Sequence, residues 1–450
     1  MKKHLLTLIA LVALSSIAFA QKFESEGIYY NITSSTEPYT VEVTYKNATI
    51  PFNDSTTYAG DIIIPSSVTY EGNTYAVTAI GNDAFSSSSL SNVTIPNTID
   101  SIGSNAFSWC SNLTNVTIPN SVTFIGDFAF LPCSGLTQFD VAADNVFFSD
   151  VEGVLFNKVQ DVLIQYPIAK PDTSYVIPNT VTGISNAAFT LCSNLTNITI
   201  PNSVTAVGYY AFYECRDLTS MTIPNSLTYI GGSAFASCSK LTQFEVAAGS
   251  DHFNTIEGVL CNKTLDTLVI YPMAKGTSYI IPNSITAIDN YAFIECNNLV
   301  SVIISDAVTA IGRRAFAGCS GLTSMTIKAV VPPIFSRAST FSNVSTDIPV
   351  YVPCQSLEDY QTAEVWSEFT NIQCDATGIA EVTTFPYEVY TRNNTLIIKQ
   401  AEGQPVVVFD MMGRTIFQTT ATGETTYTLP TAGVYVVRVA EGFAKKIVVD

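Results

Sequence analysis

The chain has 450 residues, of which 47% are apolar and only 13% charged, and its formal net charge is −18. Such a length allows two or three domains with an ample core. The acidic balance disfavours nucleic acid and anionic lipid as partners, because both need clustered Lys and Arg to displace counterions. The first element is a leader: Lys2 and Lys3 precede the apolar run Leu5 to Leu14, and Ala18-Phe19-Ala20 offers small residues for cleavage. Residues 1–20 therefore read as a signal peptide, and loss of its two lysines takes the net charge to −20. Gln21 becomes the mature N-terminus, and the lack of a cysteine there argues against a lipoprotein. No later stretch holds about 18 uninterrupted apolar residues, so no membrane span is expected.

The body of the chain repeats one sentence. IPNSVTFIGDFAFLPC at Ile118, IPNTVTGISNAAFTLC at Ile177, IPNSVTAVGYYAFYEC at Ile200 and IPNSLTYIGGSAFASC at Ile223 are copies of one unit, and Ile95 to Ile118, Ile177 to Ile200, Ile200 to Ile223 and Ile281 to Ile304 are each 23 residues apart, a period in the range of leucine-rich repeats. In the unit from Leu113 to Cys133 the expected inward set is Leu113, Val116, Ile118, Val122, Ile125, Ala129, Phe130 and Cys133. The first three give an L-x-x-V-x-I pattern whose last part alternates like a strand, and the i+4 and i+3 spacings from Ile125 to Cys133 predict a short helical turn. A lone unit cannot offset the entropy of ordering its own backbone, so the units must stack and share a core. Seven good units start near Leu90, Leu113, Leu195, Leu218, Leu241, Leu299 and Leu322.

Seven of the ten cysteines, Cys110, Cys133, Cys192, Cys215, Cys238, Cys296 and Cys319, follow the Phe of an Ala-Phe pair by three residues. Stacked rungs would hold their Cβ atoms about 5 Å apart, wider than the ~3.8 Å of a disulfide, so they read as buried thiols. Two intervals exceed the period, and their extra pieces match: VEGVLFNKVQDVLIQYPIAK at Val151 and IEGVLCNKTLDTLVIYPMAK at Ile256. Each reads as a hairpin protruding from the stack, with Cys261 in the core position of Phe156.

The repeat unit, the GVLFNK and LIQYP insert and the opening GIYYNITSSTEPYTVEVTY together resemble the BspA-type leucine-rich repeat surface proteins of Gram-negative bacteria. The resemblance runs from about Gly27 to Asp375. It implies an N-terminal β cap over 21–60, a solenoid over 61–330 with inserts near 141–176 and 246–280, and a C-terminal cap over 331–375 sealed by Tyr360, Trp366 and Phe369. It also implies a secreted or surface-attached protein used in adhesion, and brings no catalytic residues. Cys354 and Cys374 lie outside the thiol ladder, each ending a strand-like run, and export to an oxidising compartment would let them pair; two separate buried thiols are the alternative.

After Asp375 the repeat stops and short apolar runs suggest successive strands of a second, all-β domain over 376–450. The run Val406 to Arg414, Gly433-Val434-Tyr435 and Lys445-Lys446-Ile447-Val448 resemble the C-terminal sorting domain of the type IX secretion system, which implies passage through the outer membrane by that machinery. The fold class is thus mainly β: a repeat solenoid followed by a small β-sandwich.

Recognition falls to the outward strand positions: Asn92, Thr94, Asn115, Thr117, Gln138, Asp140, Asn197, Thr199, Ser220, Thr222, Gln243, Glu245, Ser301, Ile303, Ser324 and Thr326. They form a polar, nearly uncharged ladder that could offer hydroxyls and amides to an extended protein or a glycan, or could simply reflect the strand preference of Thr on a solvated face. Catalysis is not expected. His252 is the only histidine after the leader, and no metal, cofactor or nucleophile motif occurs. Asp140 with Asp144, or Glu245 with Asp251, are the carboxylate pairs a glycosidase would need, and nothing singles them out. Two readings remain: an adhesin for host or microbial surface proteins, and a glycan-capturing surface protein for which Tyr209, Tyr210, Tyr213 and Tyr229 would supply aromatic contacts.

Overall fold

The computed structural model describes residues 21–46, 57–336, 338–375, 387–392, 394–410, 414–430, 433–439 and 443–449. The leader at residues 1–20 lies outside these. The described chain is mainly β, and Leu357–Thr362 is its one α-helix. Each full rung contributes one longer strand, one two-residue strand and a turn segment, and like parts stack into three parallel columns.

The longer strands carry the alternation read from the sequence. Asn115–Ile118 pairs in parallel with Gln138–Val141 so that Asn115 faces Gln138 and Thr117 faces Asp140, while Val116, Ile118 and Phe139 are fully buried. The same register recurs in Ser220–Ile223 with Gln243–Val246, and in Ser301–Ile304 with Ser324–Ile327. This column does not stop at Ile327. It runs on through Val350–Val352 to Ile372–Cys374, so the C-terminal cap extends the stack before closing it.

The turn segment is not the expected helical turn. Asn105 and Trp109, like their counterparts in most other rungs, have positive φ (54° and 63°), which interrupts any right-handed helix. Successive tight turns form instead, with Ala106, Ser108 and Cys110 N–H groups donating to the carbonyls of Gly103, Asn105 and Phe107. Glycine before the turn has a steric cause: a Cβ at Gly126 would lie 2.4 Å from the backbone nitrogen of Ser104 in the rung before.

Within the columns the consensus Phe and Cys do scaffold work. Phe189, Phe212 and Phe235 stack with ring centroids 5.2 and 5.0 Å apart and planes within 15°. Each of the seven repeat thiols donates to a carbonyl 25 or 26 residues back, as from Cys215 to Phe189 and from Cys238 to Phe212, both at 3.1 Å. Cys110, Cys133, Cys192, Cys215, Cys238, Cys261, Cys296 and Cys319 are all free and buried.

The inserts do not protrude, contrary to the hairpin expectation. The strands Phe148–Val151, Val154–Asn157 and Val162–Gln165 form an antiparallel meander whose last strand pairs in parallel with Gly183–Ile184, so the insert heads the short-strand column. The second insert does the same through Thr267–Ile270 and Ala287–Ile288. Val154, Leu155 and Phe156 are all fully buried, because the strand has core on both faces. Leu155 joins the first hydrophobic cluster, whereas Val154 and Phe156 join the second. In the second insert Leu260 belongs to the second cluster and Val259 and Cys261 to the third. Tyr166 and Tyr271, from the insert ends, then take the place of the rung Phe and stack on Phe189 and Phe293. Each insert thus stands in for part of a rung and walls off one core from the next. The long-strand column breaks at these walls: the N–H of Phe139 donates to Gly153 O, and that of Phe244 to Gly258 O, in place of a following strand.

At the N-terminal end Lys22–Ser25, Ile28–Ser34 and Thr40–Thr44 form an antiparallel meander that joins the first short-strand column through Asn73–Ile80. At the other end Tyr360 and Trp366 are fully buried, the phenol donating to Ala329 O and the indole to Pro333 O. Cys354, just past the strand Val350–Val352, forms a disulfide with Cys374 at the end of the neighbouring strand. Past residue 386, Glu388–Arg392, Thr395–Lys399 and Thr425–Thr428 make one antiparallel sheet, and Thr415–Thr420, Pro405–Phe409, Gly433–Val439 and Phe443–Val449 another. Leu396 and Ile398 from the first share one core with Val406, Val408 and Val437 from the second.

Candidate functional site

The alternation that buries Val116 and Ile118 turns Asn115 and Thr117 outward, and stacking repeats this choice down the column. The outward rows fall into register. In one row Ile63 pairs with Thr94 and Thr117 with Asp140 before the first wall, and Val176 with Thr199 and Thr222 with Glu245 before the second, the 23-residue period aligning the two pairs of each stretch; Ile280, Ile303, Thr326 and Tyr351 then pair in succession. In the neighbouring row the pairs are Asp61 with Asn92 and Asn115 with Gln138, then Ser174 with Asn197 and Ser220 with Gln243, aligned by the same period, and then Ser278, Ser301 and Ser324 in succession. All the polar positions expected to face outward therefore lie on one face.

The structure adds apolar members that sequence reasoning missed. Ile63, Val176 and Ile280 are 72%, 69% and 65% exposed, and each lies on the opening strand of its stretch of ladder. Their strands follow a cap or an insert and lack the leucine frame that marked the others. The 23-residue step back from Thr199 or Ile303 would have found Val176 and Ile280.

Side-chain amides engage the ladder's own carboxylates. Asn115 Nδ2 donates to Asp140 Oδ2 at 2.6 Å, and Gln243 Nε2 donates to Glu245 Oε1 at 3.1 Å. Asp144 accepts from Asn120 instead, so Asp140 and Asp144 are held by different partners. His252 and Asp251 are exposed at the edge of the second insert. Among the described residues no group of three His, Cys, Asp or Glu side chains could hold a metal ion.

The tyrosines lie on the turn side, away from the ladder. Tyr209 and Tyr229 meet edge to face at 6.3 Å, and Tyr210 meets Tyr213 at 5.7 Å. Hydrogen bonding to Tyr209 and then burial push the Tyr229 phenol up to about 12. Burial, reinforced by Glu295 and Glu214, raises Tyr213 to about 12, so both phenols stay neutral at ordinary pH.

A parallel, three-column stack of this period with an exposed strand ladder defines a leucine-rich repeat protein. Residues 78–151, 171–272 and 269–381 match the BspA type leucine rich repeat region in 6 copies, and the chain belongs to that family. These are cell-surface or secreted proteins. Residues 376–449 match a domain of unknown function, DUF6383. Among solved structures, the chain is similar to a leucine rich cell surface protein from Faecalibacterium prausnitzii A2-165, at 24% identity over 79% of this chain and 95% of that one, with a TM-score of 0.44. It is also similar to leucine-rich repeat proteins from Eubacterium ventriosum ATCC 27560 (21% identity, 71% and 94% coverage, TM-score 0.41) and Bacteroides ovatus ATCC 8483 (22%, 78% and 99%, 0.31). No curated protein sequence matches the chain. Among the described residues no helix is long and apolar enough to cross a membrane.

Proposed function

We propose that the chain is a non-catalytic adhesin, exported by its leader and displayed outside the cell, whose ladder docks protein segments from host or microbial surfaces. The observation that carries this reading is the repeated order of the exposed row, apolar then Thr, Thr and acidic, in two successive stretches of ladder: Ile63, Thr94, Thr117, Asp140 and Val176, Thr199, Thr222, Glu245. The β scaffold requires only that these positions point outward. Apolar anchors among hydroxyls, with few charges, suit an interface whose centre excludes water and leaves little charge to desolvate. The sheets past residue 386 serve, on this reading, as the sorting domain for type IX export; the support is the resemblance of their sequence to such domains.

The test is binding of the mature protein to immobilised matrix and bacterial surface proteins, with Thr117→Lys and Thr222→Lys introduced together. Both sites are exposed, so the thermal midpoint should hold while binding falls. Undiminished binding by a folded double variant would remove the ladder from the interface.

A further inference from the structure

The two inserts break the turn column as well as the strand column, yet they leave different surfaces behind. At the second break the gap is filled. A Cβ on Gly232 would lie 2.7 Å from the ring of Tyr291, and Ser237 Oγ donates to Glu295. At the first break Ala187 and Leu191 stand where Tyr291 and Glu295 stand at the second. The gap stays open as a groove of about 740 Å³, which is within the ~300–1,000 Å³ typical of small-ligand sites.

Aromatic side chains crowd this groove. Trp109, Phe128 and Tyr210 line it and are 60%, 42% and 38% exposed, with Tyr213 and Leu131 between them. Trp109, Phe128 and Tyr210 also occupy backbone positions of positive φ (63°, 58° and 58°), which bulky residues rarely adopt. Other rungs fill the same two places with Asp83 and Ser87, or Ser233 and Ser237. The repeat therefore folds without aromatic residues there, and exposed rings at costly positions gain little by burial.

The polar lining is hydroxyl and amide: Asn105, Ser111, Ser134 and Thr190. Glu214 is the one charged residue of the groove and is neutralised by Arg216, at 2.6 Å. A neutral groove in a chain of net charge −18 matches a neutral ligand, not an ionic one. Flat ring faces bordered by hydroxyl and amide groups suit a molecule with apolar C–H faces and hydroxyl edges. We infer that this groove is a binding site for a neutral oligosaccharide, with Trp109 and Tyr210 as the stacking platforms. The site lies apart from the strand ladder and does not depend on the protein-docking reading above.

The full mature chain provides its own reporter. It has two tryptophans, and Trp366 is fully buried in the cap, so a shift of the red edge of emission reports Trp109. The probes are the neutral hexaoses of β-1,4-glucose, α-1,4-glucose and β-1,4-mannose, a sulfated heparin hexasaccharide, and a neutral proline-rich decapeptide. At least one neutral hexaose should give a saturable blue shift. Calorimetry should show its affinity falling about tenfold or more in Trp109→Ser/Tyr210→Asn, the loss expected from two stacking contacts. Those replacements are residue types that other rungs carry at these places, Ser237 and Asn105, so the thermal midpoint should not fall. Three results would overturn the inference: no hexaose moves the emission up to millimolar concentration, the folded double variant binds the hexaose as well as the parent, or only the heparin fragment or the decapeptide binds.

Discussion

Phe212→Ala is the sharpest probe of the stacked core. The ring is fully buried, and it lies between Phe189 at 5.2 Å and Phe235 at 5.0 Å, nearly parallel to both. Truncating a buried Phe costs about 3–5 kcal/mol through lost transfer energy and the cavity left behind. Two aromatic contacts, each adding about 0.5–1.5 kcal/mol beyond burial, put this site in the upper part of that range, near 4–5 kcal/mol. Collapse of the cavity would require two rungs to approach, and the parallel strands on either side fix their spacing. Urea titration followed by far-ultraviolet dichroism should show the loss, and amide hydrogen exchange should place it in residues 177–244, which share the middle core. Phe128→Ser on the exposed groove wall is the control and should change stability by no more than about 0.5 kcal/mol. A loss below about 1 kcal/mol in Phe212→Ala would refute the shared-core account.

Reducing the Cys354–Cys374 bond, which closes a separation of 20 residues, should cost about 3 kcal/mol and loosen the cap first; non-reducing peptide mapping of the purified protein checks the link, and free thiols at both sites would refute it. Burial pushes the thiols of Cys110, Cys238 and Cys319 from an ordinary value of 9.0 up to about 12. The unfolded chain then loses these protons first, so the stabilising contribution is complete below pH 9 and declines between pH 9 and 12, which denaturant midpoints across that window will show. Deleting Gly433–Asp450 should leave the repeat region folded but trap the protein in the periplasm, as fractionation and surface labelling would reveal; normal display would refute the sorting role.

The inward half of each rung was legible because a period of two along the strand and a fixed Ala-Phe-x-x-Cys spacing leave few alternatives. Val116, Ile118, Phe130 and Cys133 are all fully buried, as their spacing requires. The turn column was not legible. Ile125, Ala129 and Cys133 have helix-like spacing, but the handedness of Phe128 and of its equivalents in other rungs is a backbone property that bulky side chains do not announce. The inserts were not legible either, for a different reason. Val154, Leu155 and Phe156 are three consecutive apolar residues, a pattern of burial on both faces rather than of a projecting hairpin. The aromatic groove depends on which rungs face each other across an interruption. Only the folded chain brings Trp109 and Tyr210 to one cleft.

The walls built from Val154–Asn157 and Val259–Asn262 matter for a protein held at one point and pulled at another. Corresponding residues Val154 and Val259 are 105 positions apart, so the compartment between the two walls would release about 350 Å of extended chain if it gave way. Leu155 and Leu260 each lock into the compartment before the wall while their neighbours lock into the one after. Tension that peels rungs from one end therefore meets a fresh, doubly anchored strand at each boundary, where the unravelling of a uniform repeat stack would run on. Under load such a molecule lengthens in a few large steps, and the compartments behind the failed one keep their exposed faces intact.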